Sequence, residues 1–193
     1  MKGTAGLYEF AFRGLLTEEA LDAAGRVPGH LSGMTNLELS ETVSLDSLDP
    51  ALVEAARRMS VVYTAIAAFE NSARKLVKTV LIEEVGEAWW EESVSQKIRA
   101  RAEARRKEEE DIKWHGQRGT DLLNYTELGD LSTIMASRAE AFEPYVRSVD
   151  WARAVFKVIE RSRNVIMHGG TLDDEDVARV GIYIRDWVKQ VGA

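Results

Sequence analysis

The sequence predicts a mainly all-α fold, a helical bundle preceded by a small N-terminal extension with room for short strands. Two observations carry this. From Pro50 to about Val85, apolar residues such as Met59, Ile66, Phe69, Ala73, Val77 and Val80 recur at the three- and four-residue spacing of one helix face. Helix punctuation then recurs down the chain, with Asp49-Pro50 as a start and Gly86 as a stop.

Composition agrees. The chain has 193 residues, 45% hydrophobic and 30% charged, which suits one domain with an N-terminal arm and a core that needs no staples. There is no cysteine, so disulfide frameworks, cysteine nucleophiles and thiolate metal sites are excluded. No stretch reaches the length of a membrane-spanning helix, and MKGTAGLYEFAFRG lacks a signal-peptide core, so the expected location is the cytoplasm. The net charge of −7 argues against non-specific coating of nucleic acid, where phosphate contacts dominate. It leaves room for a small basic site.

Residues 1–47 read as an arm, with a small β-α-β appendage as one arrangement. LYEFAFRG alternates weakly, Thr17 to Ala24 suits a helix start, and Gly25, Pro28, Gly29 and Gly33 break the chain. NLELSETVSL alternates again and would be the second strand of such an appendage; the other reading is an ordered arm that packs on the main domain. The helical domain is expected over 48–193. Glu70, Asn71 and Arg74 sit mid-way along its first helix, and Glu70 and Arg74, four apart, share a face.

The stretch from Trp89 to Trp114 reads as one helix, charged nearly all round. Its basic block, Lys97 to Lys107, is followed by Glu108 to Asp111, and the expectation is a solvated face laced with intrahelical ion pairs rather than an RNA-binding patch. HGQRGTD is a loop, and a further amphipathic helix follows from near Thr126, with Thr126 or Asn124 as its cap. Asp150 is the expected cap of a helix whose apolar stripe includes Trp151, Ala154, Val155, Ile159 and Val165. A last helix places Val180, Ile184 and Trp187 inward.

The penultimate helix carries unusual cargo. It ends RNVIMHGG, placing Arg163, Asn164 and His168 just before two glycines. Asn164 and His168, four apart, share a helix face, and an arginine is long enough to reach it. The chemistry that suits the set is metal-independent phosphodiester cleavage by a ribose 2′-hydroxyl. Histidine both takes and gives protons near neutral pH. A guanidinium on the phosphate oxygens stabilises charge in the transition state, and its planar fork suits phosphate better than lysine. Asn164 would orient the histidine or the phosphate. One histidine cannot easily be both acid and base, whereas two copies in a symmetric dimer can. The bland reading is a helix terminus: histidine suits the negative end of the dipole, Asn and Gly stop helices, and the bare spacing recurs by chance.

RNVIMHGG closing a penultimate helix resembles the HEPN superfamily, whose ribonuclease members carry an Arg-x4-6-His motif, commonly with Asn after the Arg. AAFENSARKLVKTVL looks like that family's long helix, with Glu70 matching an acidic residue that faces the motif. YTELGDLSTIM and Trp151 look similar to the Swt-type RNA-quality-control endonucleases. The resemblance covers about residues 50–190. It implies an up-and-down bundle, a homodimer through the helix carrying Arg163 and His168, and RNA cleavage by Arg163, Asn164 and His168. Glu70, Asn71 and Arg74 would support these, with no metal or cofactor. It also implies a toxin or phage-defence setting with a cognate antitoxin or regulatory protein as a partner. Some members are catalytically silent, which leaves a nucleotide- or protein-binding dimeric scaffold as the alternative. Toxins silenced by a nucleotidyltransferase antitoxin usually have a tyrosine two residues after the histidine; here Gly170 stands there, so that partner is not expected.

Overall fold

The computed structural model describes residues 34–192. The readings of LYEFAFRG and of Thr17 to Ala24 lie outside them. Eight α-helices and two short 3-10 turns make up the described residues, with no strand among them. The chain divides into two compact units, Met1–Pro50 and Ala51–Ala193.

In the first unit, NLELSETVSL is not the strand its alternation predicts. Asn36–Thr42 forms helix α1, followed by a 3-10 turn over Leu45–Ser47. The reason is local. The Thr35 hydroxyl accepts the Glu38 backbone N–H, and the Glu38 carboxylate accepts the Thr35 N–H in return. This capping box satisfies two donors that a helix start otherwise leaves open, and it outweighs a short alternating pattern.

The second unit is organised on α2, Pro50–Val85, which ends at Gly86 with φ of +83°. The predicted single helix from Trp89 to Trp114 is instead two. α3 (Trp89–Ser93) buries both tryptophans, Val94 is extended, and Ser95 caps α4 (Gln96–Asp111) through the Ile98 N–H. A 3-10 turn at Leu122–Tyr125 leads to α5, Leu128–Ser137. Neither Thr126 nor Asn124 caps α5. Glu127 does, reciprocally with Asp130, while the Thr126 hydroxyl bonds back to the Leu123 carbonyl. After the short α6 (Ala139–Phe142), α7 runs over Val149–Met167, capped by Ser148 rather than Asp150. α8 runs over Asp174–Val191 with Asp173 as its cap.

The core joins α2, α7 and α8 through aromatics. The Phe69 ring lies edge-on to Phe156 at 5.9 Å and to Trp187 at 5.4 Å, and Trp151 stacks on Trp187 at 5.8 Å. Burying each such ring removes a large apolar area from water, and edge or offset pairing adds about 1 kcal/mol. α5 packs along α7, and α7 along α8. Two members of the expected α7 stripe, Ala154 and Val165, are exposed, and Phe156 is buried in their stead.

The basic block of α4 is a latch rather than a solvated ladder. Only Arg106 and Glu110 pair within the helix. Arg105 donates to the Tyr125 carbonyl at 2.8 Å and pairs with Glu127, and Arg101 pairs with the buried Asp130. These bonds fix the segment from Tyr125 to Asp130, against which the candidate site is built.

Candidate active site

Glu70 sits on the inner face of α2, only 7% exposed, directly behind the core position Phe69. A lone buried carboxylate is costly, so partners are required. One oxygen lies 3.4 Å from the Arg74 guanidinium, one turn along the same helix. The other lies 3.3 Å from Arg163 Nε, arriving from α7. Arg74 also donates to the Thr126 carbonyl at 3.2 Å and approaches Asn71 Oδ1 at 3.4 Å. Glu70, Asn71, Arg74 and Arg163 are therefore brought together.

Arg163 is held by its Nε side alone. Its guanidinium has no hydrogen-bond acceptor among the described residues, and its side chain is 34% exposed. The free edge of the fork is the geometry that a phosphate engages.

Asn164 and His168 lie elsewhere on the helix. Asn164 lines a groove of about 740 Å³ beside α7, walled on the other side by Leu172, Asp176 and Arg179. His168 is the C-cap of α7 and exposed; its backbone N–H donates to the Asn164 carbonyl at 3.2 Å. No side-chain hydrogen bond to His168 occurs among the described residues, and none joins it to Arg163.

The two glycines define where the histidine stands. Gly169 adopts φ of +76°, donating to the Ile166 carbonyl at 3.0 Å, and Gly170 donates to the Val165 carbonyl at 2.9 Å. This pair of bonds is a Schellman closure. A Cβ at position 170 would lie 2.9 Å from the Val165 carbonyl oxygen and 2.8 Å from its Cγ1, so this helix end rejects a larger residue there without a shift. The following loop is tied back to α2, where the Leu172 N–H meets Met59 Sδ at 3.3 Å and Arg58 pairs with Asp174.

Glu160 belongs to the site and sequence reading passed over it. Burial pushes its carboxyl above the usual range, and the negative charges of Glu127 and Glu70 push the same way. A hydrogen bond from the Gly129 backbone and the Arg163 charge pull it back in part. It lies near the start of α5 and one turn before Arg163, whose charge it feels, while Arg163 itself pairs with Glu70. Its only sequence signal was the three-residue spacing to Arg163, which means nothing until α5 is placed beside α7.

No group of three or more His, Cys, Asp or Glu residues with metal-binding geometry occurs among the described residues, and no helix of theirs is long and apolar enough to cross a membrane. No family model, curated protein or solved structure matches the chain.

Proposed function

We propose that the chain is a metal-independent endoribonuclease of the HEPN type, acting as a homodimer in which two copies of the α7 end share one cleft. The observation that supports it is the state of Arg163. Glu70 and the core orient it, yet the phosphate-binding edge of its fork is left open. In this reading Arg163 binds the scissile phosphate and stabilises its developing charge. His168 of one copy takes the proton from the attacking 2′-hydroxyl, and the same histidine of the second copy, protonated, gives one to the leaving 5′-oxygen. Asn164 orients the phosphate, and Glu70 and Arg74 hold Arg163. Exposed Met167, 55% accessible beside His168, offers apolar area for a second copy to cover. The toxin or phage-defence setting, with an inhibitory partner, follows from the sequence resemblance alone.

The test is incubation of the protein with labelled RNA in EDTA, beside His168→Ala and Arg163→Ala. Cleavage by the wild type and its loss in both variants supports the reading. Absence of cleavage, or equal cleavage by all three, removes it in favour of a silent scaffold.

A further inference from the structure

The exposed face of α7 carries two cations, Lys157 and Arg161, that the proposed cleavage chemistry does not use. Lys157, Arg161, Asn164 and His168 follow one another at spacings of four, three and four residues. That keeps all four on one stripe of the helix. Lys157 and Arg161 stand one turn apart, about 6 Å along the axis, and the stripe continues at the same pitch to the helix end. Lys157, Arg161 and Asn164 line the groove beside α7.

The charges on this face are unusual for so acidic a chain. The other two cations of α7 have carboxylate partners, Arg153 with Asp150 and Arg163 with Glu70. Lys157 and Arg161 have none among the described residues. The two acids lining the groove are both engaged elsewhere. Asp176 pairs with Arg179 at 2.6 Å, and Glu160 takes the Gly129 N–H at the start of α5. What faces solvent is two unpaired cations leading to Asn164 and His168, beside an apolar wall of Val158, Val165 and Leu172.

We infer that the Lys157–Arg161 stripe and the groove beside it carry the phosphate backbone of single-stranded RNA towards Asn164 and His168. The stripe from Lys157 to His168 runs about 16 Å along the axis, longer than a single phosphate group, so its whole length suits a polyanion better than a small anionic ligand. Single-stranded nucleic acids are held in this way, by a positive track under the backbone and apolar surface for the bases. The contact is with phosphate, so it adds affinity without reading sequence. The inference rests on the endoribonuclease reading for the identity of the strand, not for the electrostatics.

The experiment uses the full chain with His168→Ala, which removes cleavage, and a fluorescent unstructured RNA of about 12 nucleotides. Anisotropy is measured across a salt series, with and without Lys157→Gln and Arg161→Gln together. The expected result is binding at least tenfold weaker in the double variant, with the log–log salt slope shallower by about 1.4, the value for two lost phosphate contacts on a single strand. Lys157→Arg with Arg161→Lys keeps the charge and should restore both affinity and slope, which a folding defect would not. On the cleavage-competent background, the Gln pair should leave turnover of a ribodinucleotide unchanged, since that substrate does not reach the stripe. Unchanged affinity and slope in the Gln pair, or no RNA binding by the parent, overturns the inference. RNA binding that depends on the stripe, in a chain whose wild type cleaves nothing, leaves the track standing and removes the nuclease reading instead.

Discussion

Arg163 Nε stands 3.3 Å from Glu70 Oε1, but that oxygen has no hydrogen-bond partner, so the two are joined by charge rather than by a directed bond. Glu70 meanwhile faces Arg74 on its other oxygen at 3.4 Å. The carboxylate is therefore shared by two cations, one fixed to the Thr126 carbonyl and one free at its outer edge. In the proposed site, a phosphate arriving at Arg163 would meet a guanidinium already oriented, and Glu70 would keep Arg74 if Arg163 turned to a substrate.

This sharing sets an order of stabilities. Glu70→Ala leaves two guanidinium groups facing a vacated, buried position and should cost about 2–4 kcal/mol. Arg163→Ala leaves Glu70 with Arg74 and removes a side chain that is one-third exposed, so it should cost about 1 kcal/mol or less. Urea unfolding of both variants checks the order. Equal losses would mean that Arg163, not Glu70, is the centre of the cluster.

Activity should divide differently from stability. Arg163→Lys keeps a positive charge opposite Glu70 and should hold the fold to within about 0.5 kcal/mol. It replaces a planar fork with a point charge, and cleavage should fall by about 100-fold or more. His168→Ala should leave the melting temperature nearly unmoved, because the side chain is exposed and unpaired among the described residues, while abolishing cleavage. Turnover and thermal melting on the same samples test both.

Much of this was legible in the chain, and the misses have physical causes. Asp49-Pro50 and Gly86 mark the ends of α2 because caps act locally. Glu70 and Arg74 meet as their spacing says. The Thr35–Glu38 capping box was equally readable, but the alternation of NLELSETVSL masked it. The break at Val94 was hidden by the apolar weight of Trp89 and Trp90, although Ser95 is a good cap. Glu160 and the latch of Arg101 and Arg105 were not legible at all. Their partners, Gly129, Asp130 and Glu127, lie about thirty residues away or fewer, on an element whose placement only the fold decides.

The helix end gives a sharper test of where His168 must stand. Gly169→Ala forces a β-carbon into φ of +76° and should cost about 1–2 kcal/mol. Gly170→Ala places its Cβ 2.9 Å from a backbone oxygen that cannot swing away, so the loop after His168 must shift. Cleavage should then fall in Gly170→Ala by more than its stability loss explains. Activity measured well below the melting temperature separates the two effects. A Gly170→Ala enzyme that is stable and fully active would show that the histidine's position is not set by this closure.

Glu160 makes the site respond to pH, and the sign follows from its raised carboxyl. Burial and the neighbouring Glu127 and Glu70 favour the protonated form in the folded protein, against partial relief from Gly129 and Arg163. Between the ordinary carboxylate value of 4.5 and the raised one, Glu160 is more protonated in the folded chain than in the unfolded chain. This group's contribution to stability must then fall as pH rises through that window and level off above it. Glu160→Gln keeps an oxygen to accept the Gly129 N–H but cannot ionise. The variant should match the wild type near the acid end of the window and exceed it at neutral pH. The gain should be below about 1 kcal/mol, because the carboxyl is only partly shielded from solvent. Unfolding free energies of both proteins across the range decide it, and a gap that widens towards acid would show that Glu160 acts as a charged partner of Arg163 instead.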